Sequence, residues 1–143
     1  MGDGTNKYLE LKGKHQKELN DFPFFFAFSD KQFAEGMAKF GLSENDTDKI
    51  YKLGDTGGFY LRKDAPRLHE MFTRHEAERV EAMKDDEYLY LGLLYELANH
   101  EFIITYDPEP ALDALGLTLE DLEDERIARI YKKAKTDYLK KLR

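Results

Sequence analysis

The sequence predicts an α+β fold, a predominantly α-helical single domain with a small two- or three-stranded sheet. Long segments carry apolar residues at helical spacing, whereas a few short runs are rich in aromatic and β-branched residues, as strands are. At 143 residues, without a proline- or glycine-rich linker or an internal repeat, the chain predicts one domain over residues 1–143, with residues 1–6 a flexible N-terminal tail. The predicted strands are residues 24–28, 59–62 and 102–106.

The first half of the chain predicts helices on either side of the first strand. A polar segment with a narrow apolar stripe predicts a surface helix over residues 6–20. Ser29 and Gln32 form a capping-box signature, so a helix starts there, and Gly41 ends it. A further N-cap serine predicts a short helix over residues 43–53, and a glycine-rich turn then leads into the second strand.

The middle of the chain predicts its two longest apolar helices. Asp64 caps the first, Pro66 lies in its first turn, and its apolar side continues to residue 84. A second helix begins at Glu87, is apolar nearly all round and ends at Asn99, so it is the predicted central helix. The run "EFIITY" then predicts the third strand.

Two more helices complete the prediction. Asp107 before Pro108 is a helix start, and Gly116 is a helix stop that brings Leu117 back onto the helix. The last helix begins at Thr118 as its cap, with acidic residues early and basic residues late, which matches the helix macrodipole.

Composition excludes several functional classes. The net charge of −7 disfavours direct binding to nucleic acid and to anionic membranes. The absence of cysteine excludes disulfides and thiolate chemistry, and no run approaches the roughly 18 apolar residues of a membrane span. Because the N-terminus carries no apolar signal core, we expect a cytoplasmic protein. No motif predicts a metal site or a cofactor, since each His-Glu pair lacks the second histidine of a metal-hydrolase helix.

One stretch, residues 95–117, concentrates polar side chains. Most of them serve as helix stops and starts in the prediction, which leaves Tyr95, His100 and Glu101 as weak catalytic candidates at a helix-to-strand junction. Acidic residues gather elsewhere and form a candidate interaction surface that could imitate the charge of nucleic acid. That surface comprises Asp85, Asp86, Glu87, Glu120, Asp121, Glu123, Asp124 and Glu125.

Three segments also carry a resemblance. "FPFFFAFSDKQFAEGMAKFGL", the "GGFYLRK" turn and "YELANHEFIITYDPEPALDALGL" resemble a family of small proteins of unknown function from Gram-positive gut bacteria, often encoded on prophages, plasmids or conjugative elements. The resemblance covers most of the chain and is most specific over residues 22–42 and 95–117. It implies no reaction and no catalytic residues, and it implies an accessory role within mobile DNA.

Two functions follow as expectations. The first is a non-enzymatic accessory protein that binds another protein through its acidic surface, with a basic surface on the partner. The alternative is a small hydrolase or nucleotide-processing enzyme with a site near His100 and Glu101. The sequence favours a non-enzymatic protein, because none of its motifs matches a complete catalytic pattern. It does not predict the oligomeric state or the strand order.

Overall fold

The computed structural model describes residues 5–142. Within that range it has seven α-helices and one antiparallel sheet of three strands, which confirms the α+β, mainly helical prediction. Residues 1–4 of the predicted tail lie outside the described range. The helices are α1 Lys7–Asn20, α2 Asp30–Lys39, α3 Ala65–Ala82, α4 Asp86–Asn99, α5 Phe102–Thr105, α6 Glu109–Ala114 and α7 Glu125–Lys141. The strands are β1 Phe25–Phe26, β2 Ile50–Leu53 and β3 Gly58–Leu61.

The chain divides into two compact units. We call His15–Glu76 the sheet unit, and residues up to 14 together with those from 77 onwards the helical unit. Helices α1 and α3 each contribute residues to both units. The single domain expected over residues 1–143 stays a prediction.

The sheet unit is built on the order β1-β3-β2, with β3 in the centre. Phe25 of β1 lies opposite Phe59 of β3, and their rings stack with centroids 5.1 Å apart. Helix α2 packs on this face through Met37, which is fully buried. The predicted capping of α2 is present: the Ser29 hydroxyl accepts from the Gln32 backbone N–H, and the Gln32 side chain reaches back to the N–H of Phe28.

The predicted helix over residues 43–53 is wrong. Only Thr47–Lys49 form a 3-10 turn, and the chain then enters β2, where Tyr51 lies opposite Tyr60. The serine cap and acidic residues favour a helix locally. The pairing with β3 supplies a backbone ladder and cross-strand aromatic contacts that outweigh that local preference.

The predicted strand over residues 102–106 is also wrong, because this segment is the short helix α5. It begins and ends at residues in the left-handed region, Glu101 at φ 53° and Tyr106 at φ 54°. Phe102 is buried against Leu97, Ala111 and Tyr138. Without a neighbouring strand, the β-branched residues satisfy their backbone groups within a helical turn.

The helical unit has its core between α4 and α7, which run in the same direction. Asp86 contacts Arg126 near their starts, and Leu97 shares a buried cluster with Tyr138 near their ends. The central helix is thus confirmed as α4, with its cap at Asp85. The predicted last helix has an additional break: Thr118 caps a 3-10 turn, Leu119–Glu123, and Asp124 then caps α7.

A pair of buried histidines lies inside the sheet unit. The rings of His15 on α1 and His75 on α3 stack with centroids 3.8 Å apart. Glu18 faces His75 at 3.3 Å and forms an ion pair with Arg74. The hydrogen bond from Arg74 lowers the pKa of Glu18 to about 2, whereas burial, followed by the charge of His15, lowers the pKa of His75.

Candidate functional site

The fold brings the two predicted acidic runs together. Helices α4 and α7 start at the same end of the helical unit, and Arg126 joins them by donating to Asp86 at 2.6 Å and to the carbonyl oxygen of Met83 at 2.7 Å. Because helix N-termini carry partial positive charge, carboxylates gather there with or without a binding role.

Five of the eight predicted acidic residues already have partners. Asp85 caps α4 and pairs with Lys7 at 2.7 Å, which lowers the pKa of Asp85. Lys7 also lies 3.5 Å from Glu87. Asp121 completes a capping box with Thr118, and Asp124 caps α7. Asp86 forms an ion pair with Arg126. Within residues 5–142, no partner is found for the other three carboxylates of the set, which belong to the exposed residues Glu120, Glu123 and Glu125.

Beside these carboxylates is a groove of about 500 Å³, formed by α6 and the turn that follows it. Three further carboxylates line the groove, from Asp107, Glu109 and Asp113. Pro110 and Leu119 supply apolar surface, and Leu119 is 49% exposed. We call this feature the acidic groove.

The acidic groove belongs to a stretch without cations. Residues 107–125 contain eight acidic residues and no lysine, arginine or histidine. Among the described residues, none of these eight carboxylates forms an ion pair. Asp107, Glu109 and Asp113 were not among the predicted site residues, although the missing basic residues are visible in the sequence. Their contribution to a groove depends on the turn at Gly116, which has a φ of 75°.

The catalytic candidates do not form one group. Tyr95 lies near the end of α4 and His100 is the cap that follows this helix, whereas Glu101 precedes α5 in an exposed position. The structure instead centres the polar contacts on Glu96, which the sequence did not single out. Glu96 is only 1% exposed.

Four side chains surround the Glu96 carboxylate. Tyr8 donates its hydroxyl hydrogen to one oxygen, and Lys12 lies 3.4 Å from the same oxygen. Asn99 and His100 each approach the other oxygen at 3.3 Å. We call this set the Glu96 cluster.

The groups of the Glu96 cluster complement one another as hydrogen-bond donors and acceptor. Burial, reinforced by the hydrogen bond to Glu96, raises the pKa of Tyr8, so the phenol stays protonated and donates. Lys12 also lies over the rings of Tyr8 and Tyr95, at 5.7 and 5.9 Å. Carboxylate-bound imidazole is the arrangement in which a histidine acts as a base. The same contacts also satisfy a buried charge, as folding requires.

The described residues contain no group of three or more histidine, aspartate or glutamate side chains that could hold a metal ion. None of the helices described for this chain is long and apolar enough to span a bilayer.

Comparisons with known proteins place the chain in a family. A model described as "Family of unknown function (DUF7659)" matches residues 7–137. No curated protein matches the chain. No solved structure matches it either. The family match spans most of the sequence, including both units, and the chain therefore belongs to this family of unknown function.

Proposed function

We propose that this chain is a non-enzymatic accessory protein that binds a basic partner protein through the acidic groove. The observation that carries the proposal is the stretch 107–125, where eight carboxylates form no ion pair with any described residue and three of them line a groove. A partner segment with lysine or arginine beside apolar residues would complement both the carboxylates and Leu119. A cleft that normally binds nucleic acid offers such a surface.

The proposed setting is the cytoplasm of a bacterium, with the chain encoded on a mobile element. This setting rests on the resemblance carried by residues 22–42 and 95–117. Accessory proteins of mobile DNA meet nucleases and regulators with basic clefts, which fits a partner of this charge.

The test is affinity capture from host lysate with a four-site groove variant. The substitutions Glu109→Gln, Asp113→Asn, Glu120→Gln and Glu123→Gln remove four negative charges from exposed positions that cap no helix. We expect the wild-type chain to capture a basic protein stoichiometrically at low salt and to lose it at high salt, because exposed charges are screened. The groove variant should fail to capture the same protein.

A matched control removes four charges from the sheet unit, through Glu44→Gln, Asp48→Asn, Asp55→Asn and Glu70→Gln. It has the same net charge as the groove variant, so retained capture by the control locates the effect in the acidic stretch 107–125 that contains the groove. Equal loss in both variants, or capture that salt does not affect, would contradict the proposal.

A hydrolase is the second candidate, and one observation favours it: His100 lies 3.3 Å from the buried carboxylate of Glu96. The side chain of His100 is 35% exposed, so the imidazole can reach solvent. Assays with nitrophenyl ester and phosphodiester substrates test this candidate. Turnover that His100→Asn abolishes would support it, whereas turnover equal in the two proteins would exclude a role for His100.

A further inference from the structure

We propose that the free edge of β1 binds an extended peptide segment of a partner protein, which joins the sheet as a fourth strand antiparallel to β1. This site lies in the sheet unit, shares no residue with the acidic groove, and stands independently of the proposed function. Peptide recognition by strand addition requires an unpaired strand edge, space beside it, and side chains that select the sequence.

The register of the sheet shows which backbone groups of β1 are free. Ala27 donates its N–H to the carbonyl oxygen of Gly57 directly opposite, at 2.9 Å. In an antiparallel pair, residues alternate between facing the neighbouring strand and facing away from it. Phe26, opposite Gly58, therefore directs its N–H and C=O away from β3 and towards the free edge.

At the other edge of the sheet, a side chain occupies an outward-facing carbonyl group. The Nε of Arg62 donates to the carbonyl oxygen of Ile50 in β2 at 3.3 Å, and its guanidinium lies 4.6 Å from the centre of the Tyr51 ring. A charged side chain across an edge is a common way to prevent further pairing. This contact disfavours pairing at Ile50, and the groove beside β1 is the feature that favours the β1 edge for strand addition.

A groove of about 330 Å³ lies between β1 and α2. Phe24, Phe25 and Phe26 line one wall, and α2 provides the other. Phe26 is 52% exposed on the outer face of the sheet, where a residue paired with it would find an aromatic neighbour. This pairing favours an aromatic or β-branched residue opposite Phe26.

Helix α2 provides the charges that select the flanking residues. Glu35 and Lys39 line the groove, both are exposed, and neither has an ion pair among residues 5–142. Glu35 and Lys39 are four positions apart, which corresponds to about 6 Å along the helix axis. Residues two positions apart in a strand lie about 6.6 Å from each other and point to the same face. The two peptide residues that flank the central one can therefore each contact one of these charges.

The direction of α2 fixes the order of those residues. The start of α2 contacts Phe28 through Gln32, and Phe40 beyond its end packs on Phe25, so α2 runs opposite to β1. A peptide antiparallel to β1 therefore passes Glu35 before Lys39. The expected sequence is a triplet of Lys or Arg, then an aromatic or β-branched residue, then Asp or Glu.

The experiment selects peptides from a displayed library of random heptapeptides on the full chain. Binders to a Phe26→Pro variant are removed first, because that variant keeps the acidic groove but lacks the amide of residue 26. Proline is tolerated at an outward-facing edge position, and circular dichroism checks that the variant is folded. We expect enrichment of the basic–apolar–acidic triplet, and at least tenfold weaker binding of the synthetic triplet peptide to Phe26→Pro.

A charge-swapped variant, Glu35→Lys with Lys39→Glu, gives the decisive comparison. It should enrich the reversed triplet, with the acidic residue first. Three results would overturn the proposal: no enriched triplet, the same triplet from the wild-type and swapped chains, or equal peptide binding by Phe26→Pro. Self-association of the wild-type chain that Phe26→Pro abolishes would also overturn it, because a second copy would then occupy the edge.

Discussion

At the scale of single residues, two helical glycines have opposite surroundings. A Cβ at Gly36 in α2 would lie 2.0 Å from a ring carbon of Phe25, whereas a Cβ at Gly13 in α1 would meet nothing within 4 Å. Gly36→Ala therefore forces the Phe25 ring out of its place in the core, and overpacking of this kind costs about 1–3 kcal/mol. Gly13→Ala only improves helix propensity, by about 1 kcal/mol.

Thermal denaturation of the two variants tests this contrast. We expect Gly36→Ala to lower the Tm by several degrees and Gly13→Ala to raise it. Because both substitutions add the same methyl group to a helix, opposite signs isolate the contact with Phe25. A rise in Tm for both would show that the ring moves without cost.

Local chemistry made several residues predictable. Ser29 and Gly116 act at the helix ends where the sequence placed them, because a cap depends on neighbours a few positions away. Thr118 is a cap as predicted, but of the 3-10 turn and not of the last helix. Glu96 could not be found in this way. Its partners Tyr8 and Lys12 are 88 and 84 positions distant, and only the packing of α1 against α4 in the helical unit brings them together.

At the scale of elements, α7 separates capping from binding among the acidic residues. The Asp124 carboxylate accepts from the N–H of Ile127 at 3.1 Å, whereas the neighbouring Glu123 is exposed and caps nothing. Asp124→Ala should lower the free energy of unfolding by about 1 kcal/mol. Glu123→Ala should change it by less than about 0.5 kcal/mol.

Urea denaturation of both variants measures these differences, and the capture experiment gives the complementary readout. We expect Glu123→Ala to weaken partner capture without loss of stability. Equal stability of Asp124→Ala and the wild-type chain would remove the structural role given to this cap.

The two misassigned segments have a common cause. Residues 50–53 form a strand because β3 lies beside them, and residues 102–105 form a helix because no strand does. The secondary-structure propensity of four or five residues is weak compared with strand pairing, so the tertiary fold determines whether such a segment becomes a helix or a strand. By contrast, α1, α2 and α4 extend over ten or more residues with their own caps or apolar pattern, and the sequence located each of them.

For the whole molecule, the dependence of stability on pH should depend on His75. Its pKa is lowered from the ordinary value of 6.5, chiefly by burial and then by His15 and Arg74, while Glu18 opposes the shift. The unfolded chain therefore binds this proton at a higher pH than the folded chain does. The contribution of His75 to the free energy of unfolding is complete above 6.5 and is lost as the pH falls from there through the folded-state pKa.

Urea denaturation between about pH 5 and 7 checks the sign. We expect His75→Gln to flatten the fall in stability over that interval, even if the variant is less stable at neutral pH. The exposed His69 on the same helix provides the control, and His69→Gln should keep the wild-type slope. A wild-type slope in His75→Gln would assign the pH dependence to other groups.

The charge of the whole molecule was predictable, but its distribution was not. A net charge of −7 follows from composition and already disfavours nucleic acid as a ligand. That charge includes capped and paired carboxylates as well as the unpaired ones of the acidic groove. Only the positions of α6, the 3-10 turn and α7 distinguish the two groups.

The Arg62 contact on β2 also limits how far copies of the chain could assemble through their sheets. A sheet with two open edges can add neighbours on both sides, so its growth has no natural end and leads to fibres. With the Ile50 carbonyl occupied, β2 offers a new strand fewer backbone partners, which disfavours growth on that side of the sheet. The Arg62 contact thus biases the sheet against open-ended growth.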